Sequence, residues 1–253
     1  MNFRKIFLIL TALTVLAAPR VLAVRPFITD DAVITGFRRS ELASWIFTGK
    51  TGMEIWHSAN IGLAEWAEIT VAGAWGRSKY EINGKKNSEP SYTLPLIQGK
   101  FLFRSYDPNG LPGVGMAVGS ALPWGKGSFV SDGYGAFGCV LLTQCFGRDD
   151  NVLMHAQAGA TYLKSKTSKE NLSGLVFGFG TQVKVYKGFH LIGEIVNGDP
   201  YEHGVGSMYQ LGIRQFFSEQ LQLDCAFGNR LGGGTKGSSW FTCGIRYVVS
   251  LSG

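Results

Sequence analysis

The chain has 253 residues, 45% hydrophobic and 17% charged, with 35 glycines and 13% aromatics. Charge this low beside ordinary apolar content excludes a disordered chain, the glycine content excludes a long coiled coil, and no stretch after residue 23 supplies the roughly 18 uncharged apolar residues of a spanning helix. The formal net charge is +6, but three of the 24 basic residues (Arg4, Lys5 and Arg20) fall in a segment predicted to be removed, which leaves 21 against 18 acidic, a net of +3; with no basic block, no nucleic-acid partner is expected.

Residues 1–23 read as a cleaved signal peptide. Arg4 and Lys5 form a positive start, Ile6 to Ala18 an apolar run too short to span a bilayer, and Val21-Leu22-Ala23 a cleavage context behind Pro19. The mature chain then begins near Val24, outside the cytoplasm. Residues 24–37 are expected to form an N-terminal periplasmic or plug segment, and 38–253 the folded domain. Thr29-Asp30-Asp31 suits a short turn or plug, since Thr and Asp favour caps and turns. A cation site on two adjacent carboxylates without further oxygen ligands is the weaker reading.

From residue 39 onward, period-2 alternation recurs. Twelve strands are predicted, near 39–48, 51–61, 66–77, 94–105, 112–122, 134–146, 151–164, 173–186, 189–198, 206–217, 221–230 and 239–250. Each is about ten residues, the length of a tilted membrane-spanning strand. Short turns are expected at Asp107-Pro108-Asn109-Gly110, Arg148-Asp149, Lys187-Gly188 and Ser218-Glu219-Gln220. Longer polar loops alternate with them at 78–93, 123–133, 165–172, 199–205 and 231–238. The tight hairpin at Lys50-Thr51-Gly52 breaks that alternation.

Each strand has one apolar and one small or polar face. In 221–230, Leu221, Leu223, Cys225 and Phe227 oppose Gln222, Asp224, Ala226 and Gly228; in 206–217, Leu211 and Ile213 oppose Gln210 and Arg214. The fold class expected is all-β, a closed antiparallel up-and-down transmembrane barrel of about 12 strands, because an open sheet edge is forbidden in lipid and closure favours an even count. A soluble exported sandwich is the competing reading, with the apolar faces turned inward. Aromatics near strand ends (Phe101, Phe103, Trp75, Tyr162, Phe189, Phe217, Tyr209, Tyr247) suit interface girdles.

A three-residue turn sets Phe217 against Leu221 and therefore Arg214 against Asp224, close enough for an ion pair. By the same logic Val185 meets Phe189, Lys184 faces His190, and Arg246 approaches Asp224 from the other side. The predicted lumen lining is Glu68, Lys100, Arg104, His155, Gln157, Lys184, Glu194, Arg214, Asp224 and Arg246. Its mixed signs predict weak ion selectivity.

Cys139, Cys145, Cys225 and Cys243 lack metal-ligand spacing. Disulfides are permitted in an exported chain, but these positions read as small apolar wall residues. No catalytic, metal or cofactor site is expected. His57 and Ser58 are adjacent on a strand and point to opposite faces, and neither G-x-S-x-G nor H-E-x-x-H occurs.

Two passages resemble known sequences. Thr242-Cys243-Gly244-Ile245-Arg246-Tyr247-Val248-Val249 is similar to the outer-membrane assembly signal, in which Thr242, Gly244, Tyr247 and Val249 would be read by the barrel-assembly machinery; the chain continues to Gly253 where that signal ends. Arg25-Pro26-Phe27-Ile28-Thr29-Asp30-Asp31-Ala32, followed by Glu41-Leu42-Ala43-Ser44-Trp45, resembles a family of bacterial outer-membrane barrels described as transporters or as proteins of the meta-pathway of phenol degradation. The resemblance implies a barrel in the outer membrane of a Gram-negative bacterium, bounded by outer-membrane lipid. It also implies, loosely, a narrow porin-like channel or passive transporter for small solutes, hydrophobic or aromatic ones included. A structural or surface-interaction barrel with a filled lumen is the alternative.

Overall fold

The computed structural model describes residues 27–50, 52–82, 85–108, 110–127, 130–147, 151–201, 205–232 and 238–251. The expected signal peptide, Val24 to Pro26, Thr51, Arg148-Asp149, His203 and most of 231–238 lie outside them. Twelve strands follow in order: β1 (Arg39–Gly49), β2 (Gly52–Ala64), β3 (Ala67–Ile82), β4 (Lys85–Arg104), β5 (Gly113–Lys126), β6 (Gly133–Phe146), β7 (Val152–Ser165), β8 (Asn171–Tyr186), β9 (Phe189–Asn197), β10 (Ser207–Phe216), β11 (Leu221–Arg230) and β12 (Ser239–Ser250). Every strand pairs antiparallel with its sequence neighbour, and β1 pairs with β12, so the sheet closes. Closure removes the unpaired N–H and C=O row of an edge strand.

The alternation decides which side faces out. Along β11, Gln222, Asp224, Ala226 and Gly228 are buried while Phe227 is exposed; along β10, Gln210 and Arg214 are buried while Leu211 and Ile213 are exposed. Leu175, Phe177 and Phe179 likewise point outward from β8. The polar side chains are therefore the interior and the apolar ones the outer wall, the opposite of a water-soluble sandwich. Exposed aromatics gather at the two rims of that wall. Trp75, Tyr92, Trp124, Tyr134 and Tyr162 lie toward the end that carries most of the longer loops, and Trp66, Phe103, Tyr186, Phe217 and Tyr247 toward the turn end, where β1 begins and β12 ends.

Four expectations are corrected. The predicted loop 78–93 is mostly strand: β3 and β4 stay paired out to Ile82↔Lys85. Polar residues there read as loop because the hairpin rises past the apolar band, where both strand faces can be solvated. β5 likewise runs on to Lys126, into the predicted loop 123–133. Phe189 pairs with Tyr186, not Val185, because the register shifts between Lys184 and Tyr186; Lys184 does face His190. Finally, Cys225 and Cys243, directly opposed on the outer faces of β11 and β12, form a disulfide, while the buried Cys139 and Cys145 are not disulfide-bonded. A cross-strand pair brings Cα atoms close enough for the bridge; here they are 4.1 Å apart.

At the loop end, Asp132 ties two connections together. Its carboxylate accepts hydrogen bonds from the Ser165 and Thr167 hydroxyls, and its carbonyl from Lys166 N at 2.7 Å. Those hydroxyl hydrogen bonds hold the Asp132 carboxyl below the usual carboxylate range. A depressed acid contributes fully above its ordinary range and loses the contribution as pH falls through its folded value. Asp132→Ala should therefore open residues 166–170 to trypsin at Lys166 and Lys169 at neutral pH, read by mass spectrometry of the fragments. Unchanged cleavage would show that Asp132 does not hold them.

Candidate functional site: the lumen and the segment inside it

The backbone of residues 27–37 is irregular, so its N–H groups have no ladder partners, and a buried N–H must find one. Lumen side chains supply them. Glu194 accepts from Ile28 N and Thr29 N, both at 2.8 Å. Gln157 Oε1 accepts from Asp30 N at 2.9 Å, Thr143 Oγ1 from Ala32 N at 2.8 Å, and Glu68 Oε2 from Thr35 N at 2.6 Å. These acceptors sit on β9, β7, β6 and β3, so the segment crosses the barrel from wall to wall. Phe27, Thr29, Asp31, Ala32, Ile34 and Thr35 are buried. The segment leaves through a turn at Gly36, whose φ of +90° suits glycine, and Gly62 on β2 has no side chain where a Cβ would collide with the Gly36 carbonyl.

One cation anchors the segment. Lys100 Nζ donates to Asp30 Oδ1 at 2.7 Å, to Asp31 Oδ1 at 3.3 Å and to Val33 O at 3.1 Å, and lies 3.7 Å from Glu68 Oε1. The adjacent carboxylates weighed as a cation site thus do face a cation, and it is the ammonium of Lys100. Gln98 Nε2 adds a bond to Asp30 Oδ2 at 3.1 Å.

A second network lines the opposite wall. Arg214 is fully buried and meets Asp224 through two nitrogens, Nε to Oδ1 at 2.8 Å and Nη2 to Oδ2 at 3.2 Å, while Nη1 reaches Gln182 Oε1 at 2.7 Å. Gln222 connects Asp224 to Arg246, whose Nε donates to Glu41 Oε2 at 2.7 Å; Asn60 Nδ2 donates to Glu41 Oε1 at 3.0 Å. The chain of bonds passes from β8 to β2 across the β1–β12 seam. Phe27 covers it, its ring centroid 5.5 Å from the Arg214 guanidinium carbon.

Of the predicted lumen residues, Glu68, Lys100, His155, Gln157, Glu194, Arg214, Asp224 and Arg246 are buried inside, and Arg214 opposes Asp224 as the turn register required. Arg246 is the nearer partner of Glu41, because its register neighbour on β11 is Gln222 and not Asp224. Lys184 is half-buried at the turn end. Arg104 is corrected: the register shifts between Leu102 and Arg104, and the side chain lies exposed at the strand end with Nε 2.9 Å from Pro112 O. Of the proposed assembly residues, Thr242 is buried inward and Tyr247 exposed outward, and Gly244 and Val249 are half-buried. Gln182, Gln210 and Gln222, set by strand parity on the polar faces, are buried inside too, and Glu41, Gln98 and Thr143, which the sequence reading left unassigned, lie at inward positions of their strands, where the same parity applies.

The loop end contributes as well. Tyr201 reaches inward, its hydroxyl donating to Gln98 Oε1 at 2.9 Å and its ring meeting Phe137 edge-on at 5.2 Å between centroids. Between this side chain, Phe27 to Asp30 and the β1–β4 wall lies a cavity of ≈ 70 Å³, room for about five waters. Trp45 and Trp56, stacked at 5.8 Å and nearly parallel, form part of its lining.

Solved structures share this architecture. An outer-membrane channel from Pseudomonas putida F1 aligns with a TM-score of 0.61 at 10% identity, over 92% of this chain and 98% of that one. The KdgM porin aligns at 0.57 and 8% identity, and the NanC porin at 0.55 and 8%, each over 82% of this chain and 98% of its own. At these identities the likeness is one of fold: the chain is a closed antiparallel 12-strand barrel of the kind found in porins. No protein-family model matches the sequence, and no curated protein matches it.

Proposed function

We propose that the protein is a Gram-negative outer-membrane barrel acting as a narrow channel or passive transporter for small solutes, with residues 27–37 as its constriction. The apolar outer wall with an aromatic girdle at each rim supports the location, and the porin-like fold agrees with it. Loops outside and turns in the periplasm is the orientation such barrels adopt. The observation that carries the channel reading is the way the lumen is filled. A separate, irregular segment bound by side-chain hydrogen bonds occupies it, and such a segment can move without breaking the barrel ladder.

The exported N-terminus, beginning after a cleaved leader, places the Phe27-to-Ala32 motif inside the barrel, and the motif's role is to close it. Trp45, Trp56 and Tyr201 beside the cavity favour hydrophobic or aromatic solutes. Paired charges give weak ion selectivity. The reaction is passive, with no catalytic or cofactor role for any side chain. The barrel-assembly machinery reads β12 through Thr242, Gly244, Tyr247 and Val249. A structural barrel with a permanently filled lumen is the second reading, favoured by the complete burial of Arg214 and its partners. Planar-bilayer recording of the refolded protein separates the two. The channel reading predicts small, discrete conductance steps and solute flux into liposomes, and silence in both assays supports the structural barrel.

A further inference from the structure

The outer wall is not uniform around its circumference. On adjacent strands β3, β4 and β5 at the loop end, Trp75 opposes Tyr92 and Tyr92 opposes Lys126, with Trp124 one step lower opposite Leu94. Arg77 and Lys79 continue the outward face of β3 above Trp75. All of these side chains but Leu94 are the polar or aromatic edge of an exposed surface, and Trp75, Arg77, Lys79, Tyr92, Trp124 and Lys126 are each exposed. Residues two apart on one strand are about 7 Å apart, and neighbouring strands about 4.8 Å. On these spacings Arg77 lies about 7 Å from Lys79 and about 12 Å from Lys126, and Lys79 about 17 Å from Lys126, so the three cations form an arc roughly as wide as one large lipid headgroup, just outside an aromatic belt, at the depth where lipid phosphates lie.

Next along the wall, Tyr134 opposes Lys164, and Lys166 Nζ stands 5.3 Å from the Tyr134 ring centroid. Of the acids near this arc, Glu89 opposes Ser78 on the inward-facing register, and the ionised Asp132, bonded to Ser165 and Thr167, offsets Lys166. The turn-end rim differs, with exposed Glu65, Lys187 and Glu219 of mixed sign.

We propose that this β3–β7 arc is a docking surface for a phosphorylated lipid headgroup of the outer leaflet, with Arg77, Lys79 and Lys126 gripping the phosphates and Trp75, Tyr92 and Trp124 packing against the sugar and upper acyl region. The proposal rests on the outer-membrane reading above. The chemistry is that of phosphate monoesters: Arg offers a bidentate fork, Lys a compact charge, and both are strengthened beside hydrocarbon, where water is scarce.

The test uses the full-length protein in neutral detergent micelles, titrated with bis-phosphorylated lipid A and with the same lipid stripped of its phosphates. Each basic side chain near an anionic lipid surface strengthens binding by about fivefold, so three give roughly a hundredfold preference for the phosphorylated form. The variant Arg77→Gln/Lys79→Gln/Lys126→Gln should lose that preference, while Arg38→Gln/Lys187→Gln, which removes two exposed charges at the opposite, turn-end rim, should keep it. Heat-modifiable gel migration confirms that both variants are folded. Excess inorganic phosphate should displace the lipid only weakly, because the aromatic belt contributes only to a lipid; complete displacement would assign the site to free phosphate and overturn the lipid proposal. Equal binding of the two lipids, or a triple variant that retains the preference, would overturn it too. Bilayer conductance is read separately on the same samples, so a silent wild type would count against the channel and leave the lipid result standing.

Discussion

Asp224→Ala should lower the unfolding stability of the barrel by about 3–5 kcal/mol, the range measured when one partner of a buried ion pair is removed. Arg214 is fully buried, and its Nε and Nη2 both end on the Asp224 carboxylate. Gln182 and the Phe27 ring, which the guanidinium also meets, do not replace the lost negative charge. The loss also spreads, because Gln222 donates to the same carboxylate while accepting from Arg246. Urea titration of the protein in micelles, followed by tryptophan fluorescence, measures it. The double variant Arg214→Met/Asp224→Leu should recover much of the loss, since a well-packed apolar pair can replace a buried ion pair at little cost. An Asp224→Ala midpoint equal to wild type would mean that the pair is solvated.

Lys100→Met should act on the segment and spare the wall. It removes the one ammonium held among Asp30, Asp31 and Glu68, leaving three carboxylates crowded in a buried site. The cost is again about 3–5 kcal/mol, but most of it can be relieved by expelling residues 27–37, which are not part of the sheet. We expect a larger bilayer conductance, longer open times and new proteolysis within the segment, with the gel migration of the folded barrel unchanged. Larger conductance with a lowered unfolding midpoint of the same size as Asp224→Ala would instead place Lys100 in the barrel's own framework.

The strand plan was legible because a transmembrane strand obeys a strict period of two. Arg214 and Asp224 could be paired from a turn length alone, since nothing between Phe217 and Leu221 disturbs the count. Arg104 and the Val185–Phe189 pair failed where the count was disturbed, at register shifts that shift partners by one residue and leave no mark in composition. The β3–β4 extension was hidden because above the membrane a strand may be polar on both faces, so Lys79 or Asn87 reads as loop. The Cys225–Cys243 bridge depends on adjacency across two strands, which Cys spacing does not reveal.

The segment was harder still. Residues 24–37 read as a periplasmic or plug segment, but Thr29-Asp30-Asp31 reads locally as a turn. Only the placement of Lys100, Glu194 and Thr143 on three different strands shows what those residues meet. Several inward glutamines and acids, which on sequence alone read as selectivity groups, are the partners of a backbone that has no ladder of its own.

The occupancy of the lumen can be tested with one engineered bridge. A Cβ placed on Gly178 of β8 would lie 3.4 Å from the Thr29 Cβ, close to the separation across a disulfide. The protein Thr29→Cys/Gly178→Cys, with Cys225 and Cys243 replaced by Ser so that reduction reports only the new bridge, should cross-link on oxidation in native membranes. In a planar bilayer it should then be silent, and conduct once reductant is added. Failure of the two cysteines to join, or an oxidised protein that conducts like the reduced one, would contradict a segment that crosses and closes the barrel.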